Sequence, residues 1–205
     1  MTTSSRINPS PRSLILASTS RYRRELMERL QWPFEVHSPE VDETPQHNES
    51  PLDLAMRLAR SKALAVSQTH PGALVVGSDQ VADLLGEPLG KPLTHEVATR
   101  ELQRMSGQKV LFHTAVCVSC LDSGFLEVQS SLVQVQFRDL SDEEIESYLL
   151  KDQPYDCAGS SKSESLGIAL VQSIHSDDPT ALIGLPLIKT ADLLRKAGLN
   201  VLDRI

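Results

Sequence analysis

The chain has 205 residues, a formal net charge of −7 and 40% hydrophobic residues. That suits one substantial core, or two small lobes sharing one sheet. The acidic balance argues against non-specific binding of nucleic acid or an anionic membrane, so an anionic ligand needs local basic residues or a metal to attract it.

No segment has the length of a transmembrane helix. Residues 1–12 are polar, with two prolines and no apolar run of signal-peptide length. They are expected to form a flexible tail, and 13–205 a single domain. Three cysteines, an odd number, suit a reducing cytoplasm, which is the expected location.

Leu14 to Ala17 reads as a short buried strand. Ser18, Thr19 and Ser20 make a turn, and Ser20 can cap a helix over about 21–30. Trp32 and Pro33 end it, and Phe34 to His37 is a candidate second strand before a polar loop. Ser50 and Pro51 supply the cap and first position of a helix to about Gln68. Ala73 to Gly77 is the continuous apolar run of a central strand, with Ser78, Asp79 and Gln80 expected at its end. Gly86 marks a turn, and Gly90-Lys91-Pro92 another. Thr94 can cap a helix to about Ser106, with Gly107 beyond it. Residues 109–121 and 125–137 read as two long strands joined by a hairpin turn at Asp122-Ser123-Gly124. Ser141 to Glu144 is a capping box for a helix to about Leu150. A polar loop over 151–165 leads into the apolar run Leu166 to Val171. Ile183 to Leu187 opens a last helix, which Gly198 ends. Strands and helices intermix without strict alternation, so the predicted fold is α/β, a mixed twisted sheet flanked by helices.

Cys117 and Cys120 form a C-x-x-C inside the first long strand. Residues three apart on a strand point to opposite faces, so the pair would chelate one metal poorly and reads as core. The six histidines show no ligand spacing, and His113 reads as a satisfied core histidine.

Arg21, Arg23 and Arg24 crowd the first turn of a helix, where cations oppose the macrodipole. A strand-turn-helix start also offers free backbone N–H groups to an anion, and Ser18, Thr19 and Ser20 add hydroxyl donors. The competing reading is an exposed basic face with Glu25 and Glu28 as partners. Asp79, past an apolar strand, sits where open α/β sheets place their sites, or else serves as a turn or cap. Asp42 and Glu43 in a separate loop could join it around Mg²⁺ or Mn²⁺, or form a solvated turn. Lys62 shares a helix face with Leu54 and Leu58. It either snorkels to water or points into a cleft towards a phosphate. Lys91 is held between Gly90 and Pro92, which suits a fixed charge or a plain solvated loop.

Together these segments resemble the Maf family of nucleoside triphosphate pyrophosphatases. The resemblance runs from about Leu14 to Leu202. It is carried by Ser18 to Met27 (STSRYRRELM), Val41-Asp42-Glu43, Ala59 to Ala63 (ARSKA), Gly77 to Gln80 (GSDQ), Gly90-Lys91-Pro92, Ala158-Gly159 and Ile183 to Leu187 (IGLPL). Many members have Pro-Arg-Arg where this chain has Arg21-Tyr22-Arg23, and Gly-Ala-Asp-Thr where it has Gly-Ser-Asp-Gln. Glu164 stands at the usual glutamine. Tyr22, Gln80 and Glu164 together resemble the YceF-type subfamily, which hydrolyses 7-methyl-GTP. Arg21 in place of proline departs from the pattern and is expected to loosen the turn.

The resemblance implies a Maf/ITPase-like fold with a cleft between two lobes. It implies hydrolysis between the α- and β-phosphates, giving a nucleoside monophosphate and pyrophosphate, in the house-cleaning of modified nucleotides. Ser18, Arg23, Lys62 and Lys91 would hold phosphates. Glu43 and Asp79 would bind Mg²⁺ or Mn²⁺, with Asp79 as proton acceptor. Tyr22, Gln80 and Glu164 would set base specificity, with Tyr22 facing the cationic methylated ring, Gln80 reading a carbonyl edge and Glu164 accepting from guanine N–H groups. The implied partners are the nucleotide and a second copy in a homodimer, with no nucleic acid or membrane. Competing readings are a dTTP/UTP or broad nucleotide pyrophosphatase, a nucleotide-sensing regulator of cell division without turnover, and a structural domain with no ligand.

Overall fold

The computed structural model describes residues 12–203, so nearly all of the expected tail lies outside the described residues. In chain order the elements are β1 (Leu14–Ala17), α1 (Arg21–Glu28), β2 (Glu35–His37), α2 (Pro51–Ser67), β3 (Leu74–Leu84), β4 (Glu87–Leu89), α3 (His95–Met105), β5 (Lys109–Cys120), β6 (Phe125–Phe137), α4 (Asp142–Asp152), β7 (Val171–Ser176) and α5 (Leu187–Lys196). Short 3₁₀ turns lie at Ala158–Ser160, Leu166–Leu170 and Ala181–Ile183.

The helix starts follow from their caps. Ser20, Ser50, Thr94 and Ser141 each accept a backbone N–H of the first turn, and Ser141 forms the full capping box with Glu144. Each bond satisfies a donor that the helix itself leaves open.

All seven strands form one sheet, ordered β2-β1-β3-β5-β6-β7, with β4 also on β3. β1 runs parallel to β2 and β3, and the remaining pairs are antiparallel, so the sheet is mixed as predicted. α2 covers one face, packing Leu54, Leu58, Ala59 and Ala63 on Ile15, Val75, Val81 and Cys117. The other face carries two separate clusters. Leu14, Leu16, Val76 and Cys120 pack with α1 and α5 at one end, and Leu84, Phe112 and Val135 pack with α3 and α4 at the other. Cys117 and Cys120 therefore enter cores on opposite faces, as the strand period requires. His113 Nε2 meets Asp83 Oδ2 at 3.0 Å.

β3 differs from its predicted extent. The apolar run stops at Gly77, but the strand continues to Leu84 through Ser78, Asp79 and Gln80. Parallel pairing with β1 ends at Ala17 opposite Gly77, whereas antiparallel pairing with β5 continues to Asp83 opposite Leu111. The polar residues are held in the strand because each side chain finds a partner. Asp79 thus lies past the end of β1 but inside β3.

β4 and β7 are unpredicted edge strands. β4 contains Pro88, which only an edge tolerates, and β7 reads VQSIHS, too polar for a core strand. Only Val171 of the apolar run 166–171 joins β7; the rest is a 3₁₀ turn. On the edge of β3 away from β5, β1 pairs with residues 74–77 and β4 with 82–84. Residues 78–81 between them have no strand partner on that side, and this gap splits the sheet edge into two lobes.

Candidate active site

A cleft of about 770 Å³ opens at the gap, within the ordinary size range of ligand pockets. All nine predicted site residues line it: Ser18, Tyr22, Arg23, Glu43, Lys62, Asp79, Gln80, Lys91 and Glu164.

Its floor is set by the contact between α2 and β3. A Cβ on Gly77 would stand 2.5 Å from the Ala63 nitrogen and against the Ala59 carbonyl. With no side chain there, α2 comes close enough for Lys62 to reach across the strand. Lys62 Nζ lies 2.6 Å from Asp79 Oδ1 and 2.6 Å from Glu43 Oε1. Lys62 is only 5% exposed and Asp79 7%, so neither charge could stay there without the other. Lys62 therefore lines the cleft and does not snorkel to open water. Burial works against ionisation of Glu43. The Lys62 hydrogen bond and charge, with Lys91 and Arg23 further off, outweigh it and hold the carboxyl below the ordinary glutamate range.

Glu43 is brought in by a clamp that spacing did not reveal. Arg57 on α2 grips Glu49 at 2.5 and 2.8 Å and donates to the Thr44 carbonyl at 3.0 Å. Asp42 does not join the cluster; its Oδ1 accepts from Thr44 N at 2.9 Å, which is the turn role.

The three arginines of α1 diverge. Arg24 pairs with Glu28 on the outer face. Arg23 turns inward, and its Nε donates to the Gly184 carbonyl at 2.8 Å. Burial pushes its pKa down, and the charges of Asp79 and Glu43 pull it back up. Arg21 donates to the Tyr22 hydroxyl at 2.6 Å, and its guanidinium sits 4.6 Å from the centre of the Tyr22 ring. The expected loosening at Arg21 is not seen. Ser20 caps the helix, and the buried Ser18 hydroxyl accepts from Ser20 N at 3.1 Å.

On β3 the side chains alternate. Asp79 faces α2, and Ser78 and Gln80 face the loop before α5. Ser78 Oγ lies 2.7 Å from the Ala115 carbonyl and 3.0 Å from that of Gly184. Gln80 Nε2 donates towards Thr114 Oγ1 and the carbonyls of Ala181 and Leu182, at 2.9 to 3.0 Å. Two of these partners are backbone acceptors, which fixes the amide orientation. Reading a carbonyl edge, the role expected of Gln80, would need that N–H group. Its donor group is engaged, and the atom left to a ligand is the acceptor Oε1.

Lys91 and Glu164 line the cleft as exposed residues. Gly159 N donates to the Gly90 carbonyl at 3.3 Å, tying their two loops together. Cys157 also lines the cleft, with Sγ 3.9 Å from the Tyr22 hydroxyl. Burial, helped by Asp156, pushes its thiol up to about 12, so it stays protonated at neutral pH. The carbonyls of residues 181–184, the Arg57 clamp and Cys157 escaped sequence reasoning. The motif IGLPL marked the first of these, but a backbone carbonyl's target cannot be read from side-chain types.

The family model described as Maf-like protein matches residues 13–197. The chain belongs to the Maf family. Among its Maf relatives, a protein of Polaromonas sp. (strain JS666 / ATCC BAA-500) is 59% identical, covering 96% of this chain and 90% of its own length. One from Bordetella pertussis is 55% identical, over 94% of this chain and 96% of its own. One from Nitrosococcus oceani is 50% identical, over 95% and 98%. All three carry the name 7-methyl-GTP pyrophosphatase. The Staphylococcus aureus Ham1 protein structure overlaps 62% of this chain and 73% of its own at 17% identity and a TM-score of 0.47, too loose a likeness to build on. Among the described residues no helix is long and apolar enough to cross a membrane.

Proposed function

We propose that this Maf protein hydrolyses 7-methyl-GTP to 7-methyl-GMP and pyrophosphate. The observation that carries the reading is the buried Asp79–Lys62 pair on the floor of the cleft, joined by the exposed Glu43 carboxylate, with Arg23 turned in beside it. Such a concentration of paired charge has a use where a polyanion enters. The names of the relatives supply the class of nucleotide.

Lys62 spends two of its three N–H donors on carboxylates and keeps one for a phosphate oxygen. Arg23, Lys91 and Ser18 take the remaining phosphate oxygens. Asp79 orients a water on the α-phosphorus and accepts its proton. The new O–P bond forms as the bond to the bridging oxygen breaks, and pyrophosphate leaves with that electron pair. Fixed cations held in place before the reaction stabilise the charge that develops.

Among the described residues no group of three or more His, Cys, Asp or Glu could hold a metal unaided. Glu43 and Asp79 nevertheless converge on a single point, the Lys62 ammonium. Two carboxylates completed by substrate phosphates are an ordinary Mg²⁺ or Mn²⁺ donor set, so these residues fit the implied ion as a shared site. When bound, a divalent cation supplies charge neutralisation and acidifies coordinated water.

For the base we take the Tyr22 ring, over which the Arg21 guanidinium lies at 4.6 Å, as a face suited to a cation. N7-methylguanine is itself a cation and gains there what uncharged bases do not. Gln80 Oε1 and the Glu164 carboxylate are both acceptors. Guanine offers N1–H and N2–H donors to such a pair, whereas uracil and thymine offer one. An acceptor at Gln80 Oε1 thus supports the guanine reading. The same reading takes residues 13–205 as one unit, located in the cytoplasm, with no nucleic-acid or membrane partner. It includes a homodimer, which light scattering tests.

The deciding measurement is pyrophosphate release from 7-methyl-GTP, GTP, dTTP, UTP and CTP with Mg²⁺ or Mn²⁺. We expect 7-methyl-GTP to lead and Asp79→Asn to be inactive. A dTTP or UTP preference sinks the assignment of Tyr22, Gln80 and Glu164 while leaving the reaction. Saturable binding without release sinks the reaction and favours a sensor.

A further inference from the structure

The loop before α5 gives the cleft three backbone carbonyls. Gly184 holds Arg23 and Ser78, while Ala181 and Leu182 hold Gln80. One carboxylate ties both ends of this loop. Asp178 is 1% exposed, and among the described residues it forms no ion pair. Its Oδ1 accepts from Thr180 N at 3.0 Å and Thr180 Oγ1 at 2.7 Å, at the loop's entry. Its Oδ2 accepts from Ile188 N at 2.8 Å, in the first turn of α5 at the exit. Thr180 Oγ1 also lies 2.8 Å from the Leu185 carbonyl and accepts from Leu187 N at 2.8 Å. A buried carboxylate without a cation persists only because backbone N–H groups and the α5 terminus satisfy it.

We infer that Asp178 is a positioning residue that sets Arg23 at the phosphate end and Gln80 at the base end through one loop. The inference rests on the reading of those two residues given above. Asp178 does not line the cleft. Its two oxygens each receive a different backbone N–H, so an asparagine must turn its NH₂ towards one of them. Asp178→Asn keeps the shape and breaks one of the two ties.

The test compares wild type, Asp178→Asn, Thr180→Val and Thr180→Ser in steady-state hydrolysis of 7-methyl-GTP and GTP. Asp178→Asn is expected to raise KM at least about fivefold and to cut the ratio of the two kcat/KM values at least about threefold. Thr180→Val moves both the same way, and Thr180→Ser, which keeps the hydroxyl, restores them. A loss of folded protein lowers kcat for both nucleotides alike and moves neither KM nor the ratio, so that pattern overturns the inference. If Asp178→Asn does not fold, the Thr180 pair decides alone. Amide hydrogen exchange over residues 181–185 of nucleotide-free protein gives a readout independent of activity. It must speed up in Thr180→Val and not in Thr180→Ser; unchanged exchange overturns the inference. An inactive wild type sinks the proposed reaction but leaves the exchange result standing.

Discussion

At Lys62 an ammonium occupies the point where two carboxylates converge, 2.6 Å from each. A divalent cation drawn to Glu43 and Asp79 meets a like charge there. Replacing Lys62 by methionine keeps most of the side-chain volume and removes that charge. We expect Lys62→Met to bind Mn²⁺ about tenfold more tightly than wild type without nucleotide, read by electron paramagnetic resonance, because the repulsion between two cations is gone. Pyrophosphate release should fall by at least about a hundredfold, since a phosphate ligand is lost with it. Equal Mn²⁺ binding by the two proteins would show that the carboxylates are not the metal's ligands. Residue types marked both positions in advance, a lysine in an apolar helical stripe and an aspartate after an apolar strand, and the structure brings them together in the cleft. They did not announce atoms. Gln80 was legible as a cleft residue, but which half of its amide was free depended on the carbonyls of Ala181 and Leu182, 101 and 102 positions away.

At the scale of elements, the close approach of α2 to β3 is what delivers Lys62. The space left by Gly77 permits it, since a methyl group there would meet backbone rather than a yielding side chain. Gly77→Ala should therefore destabilise the protein by about 2–3 kcal/mol in urea unfolding. It should also lower kcat beyond what the remaining folded fraction explains, because the helix must back away from Asp79. A neutral alanine would show that the helix sits further off. Four of the five helices were readable from the chain because their caps are local, each made by a residue next to the helix it starts. The extension of β3 and the edge strands β4 and β7 were not. They depend on partners distant in sequence, such as Leu111 opposite Asp83, and their own residues are polar or include proline.

At the scale of the molecule, three core clusters share one sheet, and none has a sheet of its own. We expect calorimetry to show one cooperative unfolding transition. A non-hydrolysable analogue of 7-methyl-GTP at a hundred times its Kd should add about 2.7 kcal/mol of stability. Two transitions, with only one shifted by nucleotide, would mean that the lobes unfold separately. The gap that forms the cleft could not have been read from the chain, since it arises where the pairings of β1 and β4 both stop on one edge of β3.

Four successive residues of β3 divide their duties by parity. Gly77 and Asp79 look to α2 and Lys62, and Ser78 and Gln80 look to the carbonyls of the loop before α5. A strand has a period of two, so adding or removing one residue here exchanges the two sets. The segment can therefore be retuned by substitution, one letter at a time, but not by insertion or deletion. New substrates can be reached along this strand only by routes that preserve its phase.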